Sequence, residues 1–96
     1  MKLISITESS KPDKKLQAVF ETDSGRTKTV HFGQRSADDY TITGDKAQRE
    51  RYRTRHQKDL QTHDPTRSGY LSYFILWGEH KSRAKNIAEY KRRFNL

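Results

Sequence analysis

Six basic side chains fall within the sixteen-residue stretch DKAQRERYRTRHQKDL, Asp45 to Leu60: Lys46, Arg49, Arg51, Arg53, Arg55 and Lys58. Only Asp45, Glu50 and Asp59 oppose them. The chemistry open to guanidinium and ammonium groups at this density is neutralisation of phosphates or of another polyanion. The stretch has no Gly or Pro and is dense in good helix formers, which predicts a helix over 45–60. At about 100° per residue, Arg51, Arg55 and Lys58 line one side of it, and Tyr52, His56 and Leu60 line the opposite side. One side can rest on a core while the other meets an anion, with Arg49 and Arg53 supporting the cationic side. Tyr52 could stack on a base, but its spacing places it inward.

Other reactive combinations are weaker. A metal-dependent nuclease would need converging carboxylates, for which Asp38, Asp39 and Asp45 are the candidates, with His31 as base. Three acids in a linker more often serve turns and helix caps. Glu-x-Lys occurs as Glu79-His80-Lys81 and Glu89-Tyr90-Lys91, neither in a predicted strand beside a partner acid. His31, His56, His63 and His80 show no zinc-type spacing, and His56 reads as a hydrogen-bonded packing residue rather than a ligand. There is no cysteine, no Gly-rich phosphate loop and no nucleophile motif. No metal, cofactor or catalytic residue is implied.

The charge has a direction along the chain. Residues 1–45 hold seven Lys/Arg and seven Asp/Glu, whereas residues 46–96 hold thirteen against five, so the second half carries the whole net charge of +8. A segregated positive field attracts polyanions with strong salt dependence. At 96 residues the chain is expected to form a single domain with a thin core, since hydrophobic residues are 30% and charged residues 33%. A core that thin favours self-association, and a homodimer is expected. No apolar run approaches the roughly 20 residues of a membrane span. MKLISITESS is too short and polar for a secretory signal, so the expected setting is intracellular or packaged.

The elements that must position these groups follow from periodicity. Lys2–Thr7, Leu16–Thr22 and Thr27–Phe32 alternate as strands, the last two joined by a tight turn through Asp23-Ser24-Gly25-Arg26. Together they predict a structural antiparallel meander over 1–32. Residues 33–44 form a connector in which Tyr40–Thr43 reads as a brief fourth strand. Asp45 is placed to cap the basic helix. Gly69–Gly78, with Tyr70, Leu71, Tyr73, Phe74, Ile75, Leu76 and Trp77, reads as a short core helix ending at Gly78 as its C′ residue. Any aromatic surplus there would mark a partner surface. Ser82 caps a last helix, Arg83–Phe94, whose inward stripe is Ile87, Tyr90, the stem of Lys91, and Phe94. Arg92 and Arg93 would extend the basic patch outward. The fold class is thus α+β: an N-terminal antiparallel three-stranded sheet followed by two or three C-terminal helices.

The order His31-Phe32-Gly33, Asp39-Tyr40-Thr41, Arg49-Glu50-Arg51-Tyr52 with Arg55-His56, Leu71-Ser72 through Ile75-Leu76-Trp77, and Glu89-Tyr90-Lys91-Arg92-Arg93-Phe94 resembles a family of small basic proteins. That family occurs in large double-stranded DNA viruses of amoebae and algae, the marseillevirus, mimivirus and chlorella virus relatives. The resemblance covers about residues 30–94. The family's usual Arg-Trp before Ile-Leu-Trp is Tyr73-Phe74 here, and its Asn-Lys-Pro after it is Gly78-Glu79-His80. It brings no catalytic residues. It implies a viral protein packaged with the genome or acting in the viral factory, in the virion and the infected host cell.

Residues and resemblance together lead to one expectation. The protein binds duplex DNA without catalysis, through phosphates and largely independently of sequence. The contacting residues are Arg51, Arg55 and Lys58, with Arg49, Arg53, Arg92 and Arg93 on a two-helix surface. The alternatives are an interaction or scaffold module that recruits an acidic host or virion protein, and, third, the metal-dependent nuclease.

Overall fold

The computed structural model describes residues 1–96 and has the α+β layout. Strands β1 (Lys2–Glu8), β2 (Lys14–Glu21) and β3 (Thr27–Gln34) form an antiparallel sheet in the order β1-β2-β3. Alternation on the central strand sets the core: Leu16, Ala18 and Phe20 are buried, with Phe32 and Val30 opposite Leu16 and Ala18. The turn between β2 and β3 needs Gly25 at φ 83°, where its amide donates to Thr22.

Strict alternation fails on β1. The register shifts between Leu3 and Ser5, so that Leu3 pairs with Phe20 and Ile6 with Ala18. Simple alternation would put Leu3 in phase with Ser5 and Thr7. The irregularity instead turns Leu3 and Ile6 toward the core and leaves Ile4 exposed.

The connector does not add a strand. Tyr40–Thr43 is a single helical turn, α1, because Asp39 caps it by accepting from the Thr41 amide at 2.8 Å and Gly44 ends it at φ 67°. Asp39 is also the hub of a buried ionic group. Lys15 Nζ lies 2.6 Å and Arg83 3.4 Å from its Oδ2, tying β2 and the last helix to the connector.

Helix α2 (Lys46–His56) begins at Asp45, whose carboxylate accepts from the Gln48 amide at 3.0 Å, and continues as a 3-10 turn through Thr62. No residue of α2 is fully buried. The aromatic run then forms α3 (Ser68–Leu71), which widens directly into a π turn over Ser72–Leu76, closed by the Trp77 amide donating to Ser72. Gly78 is not a left-handed cap here. It is needed because a Cβ at that position would lie 2.2 Å from the Phe74 carbonyl oxygen. Tyr73 and Trp77 are both buried, and Phe74 is partly buried against the core.

Helix α4 (Arg83–Arg93) starts at Ser82, whose hydroxyl accepts from the Lys85 amide. Its inward side carries Asn86 and Tyr90, with Ile87 and Phe94 packed beside them, while Lys91 is exposed. Asn86 is found inside because it has backbone groups to satisfy. Its amide donates to Ile75 and His80 carbonyls, and its oxygen accepts from the His80 amide. The core between sheet and helices includes Phe20, Phe32, Leu71, Ile75, Leu76 and Tyr90.

Candidate nucleic-acid interface

The arginines of α2 divide into two sets. Arg49, Tyr52, Arg53 and His56 fall at i, i+3, i+4 and i+7, which makes them one stripe, and that stripe faces the π turn. Arg49 Nε donates to the Gly78 carbonyl at 2.7 Å and its Nη1 pairs with Glu50. Arg53 donates to the carbonyls of Trp77 at 2.8 Å and Tyr73 at 3.2 Å, with its guanidinium carbon 4.1 Å from the centre of the Tyr73 ring. The end of a helix leaves carbonyls without intrahelical donors, and these two side chains supply them. Burial pulls the Arg53 pKa below its ordinary value, partly offset by the Tyr73 hydroxyl nearby. Arg49 and Arg53 therefore fasten α2 to the π turn.

Arg51 and Arg55 are exposed and have no intramolecular ion pair or side-chain hydrogen bond. They border a cleft of about 700 Å³ between α2, the β2–β3 end of the sheet and the start of α3. Lys58 is also exposed and unpaired, on the 3-10 turn beyond the cleft lining. Lys14, the first residue of β2, borders the same cleft. Nothing in the sequence pointed to Lys14, because only the sheet's pairing brings that strand end opposite α2. Its neighbour Lys15 is committed to Asp39.

Three rings form one wall of the cleft. Tyr52 stacks on Trp77 with centroids 4.3 Å apart and planes at 8°, and His56 stacks on the other face of that pair, 4.2 Å from Tyr52 at 24°. His56 Nδ1 lies 3.0 Å from Asp59 Oδ2. Burial, with Asp59 adding to it, pushes the Tyr52 hydroxyl above its ordinary value, so the central ring is neutral at physiological pH. The expected inward side of the helix is thus found, with Tyr52 and Leu60 packed against the core and His56 hydrogen-bonded.

Arg92 and Arg93 do not join this cleft. Arg93 borders a separate small groove with Arg53, Glu79 and Glu89, its guanidinium 5.1 Å from the centre of Phe74. Arg92 is exposed and lies 3.9 Å from Glu89. The anticipated two-helix surface is therefore two surfaces, and the α4 one is partly neutralised by acids.

Two of the three carboxylates weighed for a nuclease are occupied, whereas Asp38 is exposed without a partner and borders the cleft beside Asp39 and His31. Asp39 holds Lys15 and Arg83, Asp45 caps α2, and His31 Nδ1 bonds the Ser9 hydroxyl at 2.7 Å. The one group of three such side chains with ligand atoms within 4.8 Å of one another is Glu79, His80 and Glu89. There His80 Nε2 already lies 2.9 Å from Glu89.

A protein-family model, "Family of unknown function (DUF5754)", matches residues 4–56, more than half of the chain. The chain belongs to that family. The matched region takes in the sheet from Ile4 onward, α1 and all of α2, including Lys14, Arg51, Tyr52, Arg55 and His56, and it ends before the aromatic run. No curated protein and no solved structure matches the chain.

Proposed function

We propose that this is a non-enzymatic nucleic-acid-binding protein that holds backbone phosphates with Arg51, Arg55 and Lys58, assisted by Lys14. The observation that carries the reading is the partition along this segment: Arg49 and Arg53 are half-buried and bonded to backbone carbonyls, while the cations between and beyond them are left exposed with no intramolecular partner. Unpaired guanidinium groups on one side of a helix keep all their donors for phosphate, and the planar fork suits bidentate contact. Residues 46–96 supply the long-range field that brings a polyanion to them. In the viral setting that the resemblance implies, genomic DNA in the virion or viral factory is the natural polyanion. A homodimer would double the number of phosphates engaged.

Electrophoretic mobility titration of duplex DNA at two salt concentrations tests this. The triple variant R51E/R55E/K58E is expected to lose retention while melting within a few degrees of the parent. The parent's salt dependence should show a log–log slope steeper by about 0.9 for each phosphate neutralised. Unchanged retention by the triple variant overturns the assignment.

A further inference from the structure

We propose that the cleft takes an unpaired nucleotide of a single-stranded nucleic acid, with its base stacked on the open face of His56 and its phosphates held by Arg51, Arg55 and Lys14. This rests on the phosphate-binding reading above and departs from it in one respect, the preference for single strands over duplex.

The ring stack is the first support. Trp77, Tyr52 and His56 lie nearly parallel at 4.2–4.3 Å, and the Trp77 end is buried. Tyr52 covers one face of His56, and the side chain is still 34% exposed at the cleft. A stack closed at one end and open at the other can be continued only at His56. Fastening α2 to the π turn needs Tyr52 on Trp77 and the two half-buried arginines, Arg49 and Arg53. His56 lies beyond that fastening, with Asp59 as its only hydrogen-bond partner.

The cations and the size of the cleft agree with this. Arg51 and Arg55 stand on adjacent turns, about 6 Å apart along the axis, on the same cleft as His56, and Lys14 faces them from the sheet. A cleft of about 700 Å³ falls in the range of small-ligand sites. Cationic side chains tracking a backbone beside an aromatic platform are the usual means of holding single strands. In a duplex the faces of the bases are already stacked on one another, and only an unpaired base can offer one to His56.

Trp77 is the only tryptophan and lies one ring away from His56, so its emission reports on the site. Titration of the full chain with an oligothymidylate is expected to change Trp77 fluorescence saturably and to give tighter binding than a duplex of equal length. H56A should weaken oligothymidylate binding about tenfold, roughly 1.4 kcal/mol, and leave duplex binding unchanged. H56F, which keeps a ring for stacking, should restore most of the loss. Equal oligothymidylate affinity in H56A and parent overturns the proposal, as does an equal loss toward both polymers in H56A. If the parent binds duplex but shows no single-strand preference, only the nucleotide site falls. If it binds neither polymer, the phosphate-binding reading falls with it.

Discussion

Arg51 and Arg53 stand two positions apart in α2, yet they do different work. Arg53 lies over Tyr73 with its hydrogens on two helix-end carbonyls, and Arg51 lies open at the cleft with none of its donors used. The pair Lys14 and Lys15 repeats the contrast on β2, the first bordering the cleft and the second held in the buried group around Asp39. The chain has little apolar mass to bury, and it uses basic side chains where a larger domain would use leucines. The aliphatic stem and flat guanidinium of Arg53 cover ring surface while its N–H groups satisfy carbonyls. A count of positive charges in this segment therefore overstates the charge available to a ligand. The residues separating the two uses are those in register with Tyr52 and His56 and those out of register with them.

The largest expected break of this contrast is at the surface that receives the structural arginines. Gly78→Ala places a methyl group 2.2 Å from the Phe74 carbonyl and 2.8 Å from Asn86. Both neighbours are fixed, one as backbone and the other by its three hydrogen bonds. Destabilisation of about 3 kcal/mol or more is expected, because the loop that presents the Gly78 carbonyl to Arg49 must move. Chemical denaturation measures this directly, and a midpoint near that of the parent would show that the loop yields cheaply.

The next effect compares the two arginines themselves. Arg53→Ala removes donors from two carbonyls and the cation over Tyr73, and a loss of about 2 kcal/mol is expected. Arg51→Ala, with no partner to lose, should stay within about 0.5 kcal/mol of the parent. Binding should respond in the opposite order: Arg51→Ala weakens retention on nucleic acid, and Arg53→Ala, measured where it is folded, does not. Equal stability losses from the two substitutions would remove the distinction on which the binding site is drawn.

Much of the scaffold was legible because its signals are local. Alternating residues gave the three strands, and Asp45 and Ser82 marked the starts of α2 and α4. The α+β order followed from these. What was not legible depended on partners far along the chain. The register shift on β1 satisfies the pairing of Leu3 with Phe20 and Ile6 with Ala18, which no reading of Lys2–Thr7 alone contains. Tyr40–Thr43 has strand-like residues, but Asp39 and Gly44 decide for a helical turn. Within the site, Arg51, Arg55 and the inward Tyr52 and His56 could be read from helical spacing. The contacts of Arg49 and Arg53 with the π turn were not read, although both lie in the same stripe as Tyr52. Lys14 had no signal at all, since it reaches the cleft through strand pairing.

The smallest effect concerns the second basic patch, on α4, where Glu89 pairs with His80 much as Asp59 pairs with His56 at the cleft. Glu89 has its pKa held below the ordinary glutamate value of 4.5, first by its hydrogen bond to His80, then by the charges of His80, Arg92 and Arg93. A carboxylate with a depressed folded-state pKa binds protons less readily than in the unfolded chain. Its contribution to stability is therefore fully present above the ordinary glutamate value and is lost as pH falls through the lowered one. Melting followed from neutral pH down to acid should show this loss in the parent, and Glu89→Gln should flatten that part of the profile. Salt should shrink the difference, because the group is solvent-exposed. The same substitution frees Arg92 and Arg93 from their acidic neighbour and should raise affinity for DNA slightly at low salt. An unchanged affinity would place the α4 cations outside the path of the bound strand, leaving Arg51, Arg55, Lys58 and Lys14 to hold it.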